Sequence, residues 1–288
     1  MFLKHFWTNM LGGLSECPEP ERDNVLLLVI GTTACMAFYF ADGLAARGGP
    51  LYNAVWRMLM FAGVPLAGLA SWSAFSRGGS RLGAGTASLL CLATLLIRVF
   101  GDEMVFRDSP ALYLPGFAGL VLALVVLSRS RETLGRWGLT MGDWRWWVPR
   151  AGVLSVIVLA WVIPAMLLSP EMASYYPSYK PAQTDPVMLG VKVLAHIVDL
   201  AGWEMLFRGF LLFGIARRGD YKVAIWLQVI PFFLLHSHKP GIELMLSLPG
   251  GLFAGYFCLR ARSFVPIFLL HSFQLGSINL LGYAIRNF

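Results

Sequence analysis

Charge is scarce in this chain. Only 14% of its 288 residues are Asp, Glu, Lys or Arg, against about 25% in a typical soluble domain, which excludes an ordinary water-soluble globule. Cysteine is equally thin. Cys35, Cys91 and Cys258 lie within apolar runs and only Cys17 stands in a polar segment, so there is no disulfide framework to read. Internal repeats, low-complexity tracts and any sizeable soluble segment are missing, as is the HExxH pattern of a helix-borne zinc site. The N-terminal stretch, Lys4 followed by polar sequence through Asp23, lacks the compact basic, apolar and small-residue order of a cleaved signal peptide. The first apolar run is therefore expected to serve as its own signal anchor.

What fills the chain instead is hydrocarbon: 57% of residues are hydrophobic and the mean hydropathy is +0.64. Apolar runs recur at Asn24–Gly43, Met58–Phe75, Leu82–Ile97, Leu112–Leu127, Ala151–Leu168, Val187–Ile215, Val223–Leu235, Leu244–Leu259 and Phe264–Ile285. Unpaired backbone groups cannot face lipid, and continuous runs do not alternate as barrel strands do. The expected class is all-α, a polytopic transmembrane helical bundle of about 8–9 spans. Val223–Leu235 is shorter than the roughly 20 residues a span needs, so that helix is expected to be tilted, re-entrant or sheltered by neighbours.

The net charge of +7 is distributed by topology and gives no reason to invoke nucleic acid. Basic residues gather in alternate loops: Arg77 and Arg81; Arg129 to Arg150; Arg217, Arg218 and Lys222; Arg260 and Arg262. The positive-inside rule makes these loops cytoplasmic. A multi-pass cell-membrane protein with a cytoplasmic N-terminus follows. The stretch Ser128–Arg150 mixes arginine with Trp137, Trp144, Trp146 and Trp147 and reads as an interfacial segment, since indoles favour the headgroup level and arginine favours anionic lipid. Ser169–Pro186, rich in proline and tyrosine, reads as a loop or cap on the outer side. The organisation is then residues 1–150, transmembrane helices plus the interfacial segment, and residues 151–288, a core that carries the chemistry.

Ionisable side chains inside apolar runs locate that chemistry. A charge at the centre of a span costs about 2.5–3.5 kcal/mol on insertion scales and usually marks an ion path, a proton relay or a catalytic site. Glu204 and Arg208 stand four apart, on one helical face within salt-bridge reach. His236 ends one apolar run and His271 sits inside another. Glu and Arg alone would be a structural ion pair, and a lone intramembrane histidine a helix-to-helix hydrogen bond; together they are hard to read as packing. They could hold a water, the carboxylate serving as general base and the imidazoles donating to an oxyanion. The same Glu204, His236 and His271, with His238 as a further ligand, could instead hold a divalent metal such as zinc; the spacing leaves metal and metal-free chemistry both open. His196 and Asp199 read as support or packing, and Lys239 with Glu243 as a solvated loop pair at the rim of a cavity.

Three segments in order, WEMLFRGFLL, FFLLHSHKPGIEL and PGGLFAGYFCLRARSFVPIFLLH, resemble the CPBP family, the CAAX-protease and bacteriocin-processing group of intramembrane proteases. That family carries EExxxR, FxxxH and HxxxN or HxxxD motifs. Glu204 and Arg208 correspond to the second glutamate and the arginine, Phe232 and His236 to FxxxH, and His271 to the last histidine. Trp203 stands where the first glutamate is usual, and Leu275 where Asn or Asp follows the histidine. The resemblance implies an intramembrane endopeptidase acting on a membrane-anchored or exported protein. Glu204, His236 and His271 would be catalytic, with Arg208 and Glu243 in support and Gln274 or Asn279 filling the missing polar position. The replaced glutamate also suits a catalytically inactive scaffold or peptide-binding protein of the same fold. A small transporter is the third reading, weakened by the lack of repeats.

Overall fold

The computed structural model describes residues 138–213, 216, 221–234, 236 and 239–288. The four apolar runs before residue 128, the first part of the interfacial segment, the basic loop at 217–220 and His238 lie outside the described residues. So does any count of spans for the whole chain.

The described residues are helical. They comprise α1 (Trp144–Leu168), α2 (Pro170–Tyr175), a 3-10 turn (Lys180–Gln183), α3 (Pro186–Glu204), a π-helical segment (Met205–Phe213), α4 (Tyr221–Leu234), α5 (Gly241–Ala261) and α6 (Val265–Asn287). Four stretches among them are long and apolar enough to cross a membrane: Trp144–Leu168, Pro186–Gly209, Gly241–Ala261 and Val265–Asn287. Their outward faces stay apolar, with Leu168, Val156, Leu194 and Met245 exposed, as lipid-facing surface should be.

α1 begins at Trp144, well before the apolar run from which a span was expected, and it continues through residue 150. Its first turns are built from the tryptophan-rich stretch itself: Trp146 and Trp147 are buried, and Trp147 Nε1 donates to Met141 O at 2.7 Å. The strand of chain leading in is pinned to the far end of α5, with Asp143 N donating to Ala261 O and Phe264 N to Gly138 O.

α3 starts on a strong signal. Asp185 accepts from the backbone of Val187 and Met188, and Pro186 opens the helix, where a missing N–H costs nothing. After Glu204 the helix widens into the π-helical segment. Such i→i+5 turns are rare and favour functional sites; here the change falls on the residue that carries the carboxylate.

α4, 14 residues long, is the short helix expected from Val223–Leu235, and neighbours shelter it. Ala224, Ile225, Gln228, Val229 and Phe233 are all buried. α5 lies against it closely. A Cβ on Gly251 would sit 3.0 Å from the Phe232 ring, and one on Gly255 3.0 Å from Gln228 Nε2, while Gln228 Nε2 donates to Gly251 O at 3.0 Å. Small residues four apart permit this backbone approach where hydrophobic force between helices is absent.

The Ser169–Pro186 connection is an ordered cap. Glu171 accepts from Gly241 N at the start of α5, and Arg286 near the end of α6 donates to Ala173 O and Ser174 O. Tyr176 is buried and its hydroxyl donates to Glu243 Oε2 at 2.6 Å.

Candidate active site

Phe232 is the hub of the site. From α4 its ring stands 4.6 Å from the His236 ring, 5.9 Å from the His271 ring and 4.4 Å from the Arg208 guanidinium carbon. The FxxxH spacing thus has a physical meaning: the backbone carbonyl of Phe232 accepts from His236 Nδ1 at 2.7 Å, and its ring packs against the Arg208 guanidinium and both imidazoles. Gly251 keeps that ring in place from the α5 side.

Glu204 is fully buried at the end of α3. Its Oε1 lies 3.2 Å from Arg208 Nη1 and 3.1 Å from His271 Nδ1. Three elements, α3, the π-helical segment and α6, therefore meet at one carboxylate oxygen. Oε2 is buried with no hydrogen-bond partner. Carboxylates so placed are held by the paired cation, because an ion pair in a low-dielectric setting persists only when both partners are present.

An apolar cavity of about 520 Å³ opens beside this cluster. Most of its wall is hydrocarbon from α1, α5 and α6, including Leu154, Trp161, Phe253 and Leu270; the polar side chains reaching it are Arg208, His236, Glu243, Ser247, His271 and Gln274. Glu204 is not part of the wall. His271, whose side chain is 22% exposed, stands between the carboxylate and the cavity.

Hydrogen-bond donors and acceptors fix what the imidazoles can offer. A carbonyl oxygen only accepts, so Nδ1 of His236 carries the hydrogen given to Phe232 O, and Nε2 of the neutral ring keeps a lone pair. His271 Nδ1 stands 3.1 Å from the arginine-paired carboxylate of Glu204. The sequence reading made both imidazoles oxyanion donors; for neutral His236 the bond to Phe232 O makes the free ring nitrogen an acceptor instead. The cationic donor on the wall is Arg208.

Among the described residues, no group of three or more His, Cys, Asp or Glu side chains converges as a metal site. His236 and His271 both line the cavity, while Glu204 Oε1 is committed to Arg208 and His271. His238, the further candidate ligand, lies outside the described residues.

The remaining sequence candidates divide cleanly. Gln274 faces the cavity on the same helix as His271. Asn279 is fully buried elsewhere: its Oδ1 accepts from Lys192 Nζ and its Nδ2 donates to Leu275 O. Trp203 stacks on Phe207 at 5.7 Å and donates to Asp199 Oδ2 at 3.1 Å. Asp199 therefore supports the indole.

Lys239 and Glu243 are not a solvated loop pair. Lys239 Nζ lies 3.5 Å from Glu243 Oε1 and donates to Tyr176 OH at 2.9 Å, locking the cap to the rim of the cavity. Burial opposes the Lys239 ammonium, but Glu243 and the two tyrosines outweigh it and raise its pKa well above the ordinary lysine value. Burial, with help from Glu243, likewise pushes the Tyr176 phenol well up. Tyr176 was missed in the sequence; only its place in a tyrosine-rich loop between spans hinted at it.

Residues 186–274, from the start of α3 to Gln274, match the family model of type II CAAX prenyl endopeptidase Rce1-like proteins. The matched segment is similar to the CAAX-protease group that the three motifs resemble. No curated protein and no solved structure matches the chain.

Proposed function

We propose that the chain is an intramembrane endopeptidase that hydrolyses a peptide bond in a membrane-anchored or exported protein, with its reaction centre at the cavity wall carrying Arg208, His236 and His271. The single observation that carries this reading is the Glu204–His271 contact behind the cavity. A buried carboxylate that holds one imidazole nitrogen leaves the other poised as a general base.

In this scheme a water lies against Nε2 of His271, with Nε2 of His236 accepting its second hydrogen. As the water oxygen bonds to the scissile carbonyl carbon, its proton passes to His271. The Glu204 carboxylate stabilises the imidazolium that forms, and the Arg208 guanidinium faces the developing oxyanion. The C–N bond then breaks, and His271 returns its proton to the leaving amine. Apolar walls exclude bulk water, so the fixed charges act at low dielectric. Glu204 works through His271 and needs no direct contact with the water, which accommodates Trp203 in the position of the first glutamate.

Gln274 is the polar partner after His271 in this reading, and Asn279 supports the fold. The bundle sits in the cell membrane with its N-terminus in the cytoplasm, as the loop charges require. The apolar wall suits a substrate segment that is itself apolar.

A second reading, a peptide-binding protein without catalysis, is favoured by the tight packing of Trp203 and the complete burial of Glu204. Comparison of membrane-protein termini from cells expressing wild type, His271→Ala and His236→Ala at matched levels separates the two. A terminus present only with wild type supports hydrolysis; identical termini in all three would leave the binding protein.

A further inference from the structure

At the end of the bundle opposite the cap, two arginines are pinned to one indole. The guanidinium carbon of Arg150 lies 4.5 Å from the Trp146 ring centroid and that of Arg260 lies 4.6 Å from it. Trp146 itself is buried against Phe257 at 5.1 Å, so the ring cannot swing to release either cation.

Partners account for only part of each guanidinium. Arg150 Nη1 donates to Trp146 O at 2.7 Å, and Arg260 Nη1 pairs with Asp143 Oδ2 at 3.1 Å. Among the described residues, the Nε atoms of both arginines are buried and have no hydrogen-bond partner. Nearby, Arg145 and Arg262 add two more cations, while Asp143 is the one carboxylate among residues 143–150 and 260–262. Positive charge and donor capacity thus exceed what the described residues supply against them. The start of α1 adds the partial positive charge of a helix N-terminus.

The level of this cluster is also fixed. Met141, Trp144 and Val148 beside it are exposed apolar side chains, and Arg145 lies 5.5 Å over the Trp144 ring. Exposed indole next to arginine belongs at the boundary of acyl chains and headgroups.

We propose that Arg150 and Arg260, held on Trp146, form a binding site for the phosphate of an anionic phospholipid headgroup. Phosphate oxygens accept from the Nη–H groups not used by Trp146 O and Asp143, for which planar guanidinium geometry is suited and an ammonium is not. Met141, Trp144 and Val148 then lie along the acyl chains of the same lipid. Neither arginine lines the cavity, and the proposal is independent of the proposed peptidase activity.

The test uses the full chain in detergent, with bound lipid read by native mass spectrometry and stability read as a thermal midpoint. Phosphatidylglycerol, phosphatidylcholine and inorganic phosphate are added separately. The expected result is retention of phosphatidylglycerol and a raised midpoint with wild type and with Arg145→Gln, and loss of both in Arg150→Gln/Arg260→Gln. Should that double variant fail to fold, Arg150→Lys/Arg260→Lys keeps the charge and is expected to lose retention as well. An equal effect of phosphatidylcholine, an equal loss in Arg145→Gln, or full retention by the lysine variant would overturn the site. The same midpoint rise with inorganic phosphate alone would overturn the lipid as its ligand.

Discussion

Two buried charged clusters sit in the same bundle, and they differ in one respect. Glu204, Arg208 and His271 stand against an apolar cavity of about 520 Å³. Lys192 and Asn279, equally buried, bond to each other between α3 and α6, next to Tyr176, and neither reaches that cavity. Burial of an ionisable group is common to both, so burial does not distinguish a reaction centre from a structural bolt. Access does: the first cluster presents the His271 imidazole to a space that a substrate can fill, and the second has its polar atoms turned on one another.

The largest effect should come from the first cluster alone. Glu204→Gln is expected to lower turnover by about 10⁴-fold and His271→Ala by up to about 10⁶-fold, the losses seen when the orienting carboxylate and the imidazole base of such a pair are removed. Helix content of Glu204→Gln by circular dichroism should stay close to wild type, because glutamine keeps the volume and can still accept from Arg208 and His271, while the thermal midpoint should fall because the buried Arg208 charge loses its anion. A severe loss of helix in Glu204→Gln would recast the carboxylate as structural.

Arg208→Ala breaks both roles together. It leaves the Glu204 charge buried without its cation, which is expected to destabilise the bundle by about 3–5 kcal/mol, measured by reversible denaturation in detergent. A near-neutral result would mean that Glu204 is not held by that pair.

For the second cluster the expectation reverses. Lys192→Met strands Asn279, at about 1–3 kcal/mol, whereas Lys192→Met with Asn279→Leu should recover much of that loss, since apolar replacement of both partners is often neutral. Activity should survive in the double variant. Loss of turnover with stability intact would join this cluster to the mechanism.

Gly251→Ala sharpens the comparison through packing. The new Cβ meets the Phe232 ring at 3.0 Å, and overpacking of this kind costs about 1–3 kcal/mol. Because Phe232 sets the positions of His236, His271 and Arg208, turnover should fall further than the midpoint does. Equal small changes in both would demote Phe232 to ordinary core.

The smallest effect concerns pH and the cap. Tyr176 and Lys239 both titrate above their ordinary values. Groups with raised folded pKa values contribute stability that is complete below their unfolded values, about 10 and 10.4, and is lost as pH rises through the folded values. The thermal midpoint should therefore not change between pH 7 and 9 on their account, and should fall above about pH 10. Tyr176→Phe should flatten that fall.

Much of the site was legible in the sequence because the membrane makes charge conspicuous. Glu204, Arg208, His236 and His271 stood out in apolar runs; the structure sets Arg208, His236 and His271 around Phe232, with Glu204 held by Arg208 and His271. Lys192 and Asp199 also interrupt an apolar run; the i,i+4 spacing allows the Asp199–Trp203 bond, whereas the Lys192–Asn279 bond depends on how α3 faces α6. Tyr176 escaped for a related reason. A tyrosine in a polar loop carries no periodic signal, and its link to Glu243 spans two separate connections. The start of α1 was placed too late because tryptophan and arginine at a membrane boundary look alike whether they lie on the surface or form the first turns of a span.

The comparison of the two clusters is tested most directly by mapping membrane-protein termini in cells that express wild type, Glu204→Gln or the Lys192→Met/Asn279→Leu double variant at matched levels. The account predicts a terminus produced by wild type and by the double variant and absent with Glu204→Gln. A terminus that persists with Glu204→Gln, or that disappears in both variants despite intact folding, would contradict it.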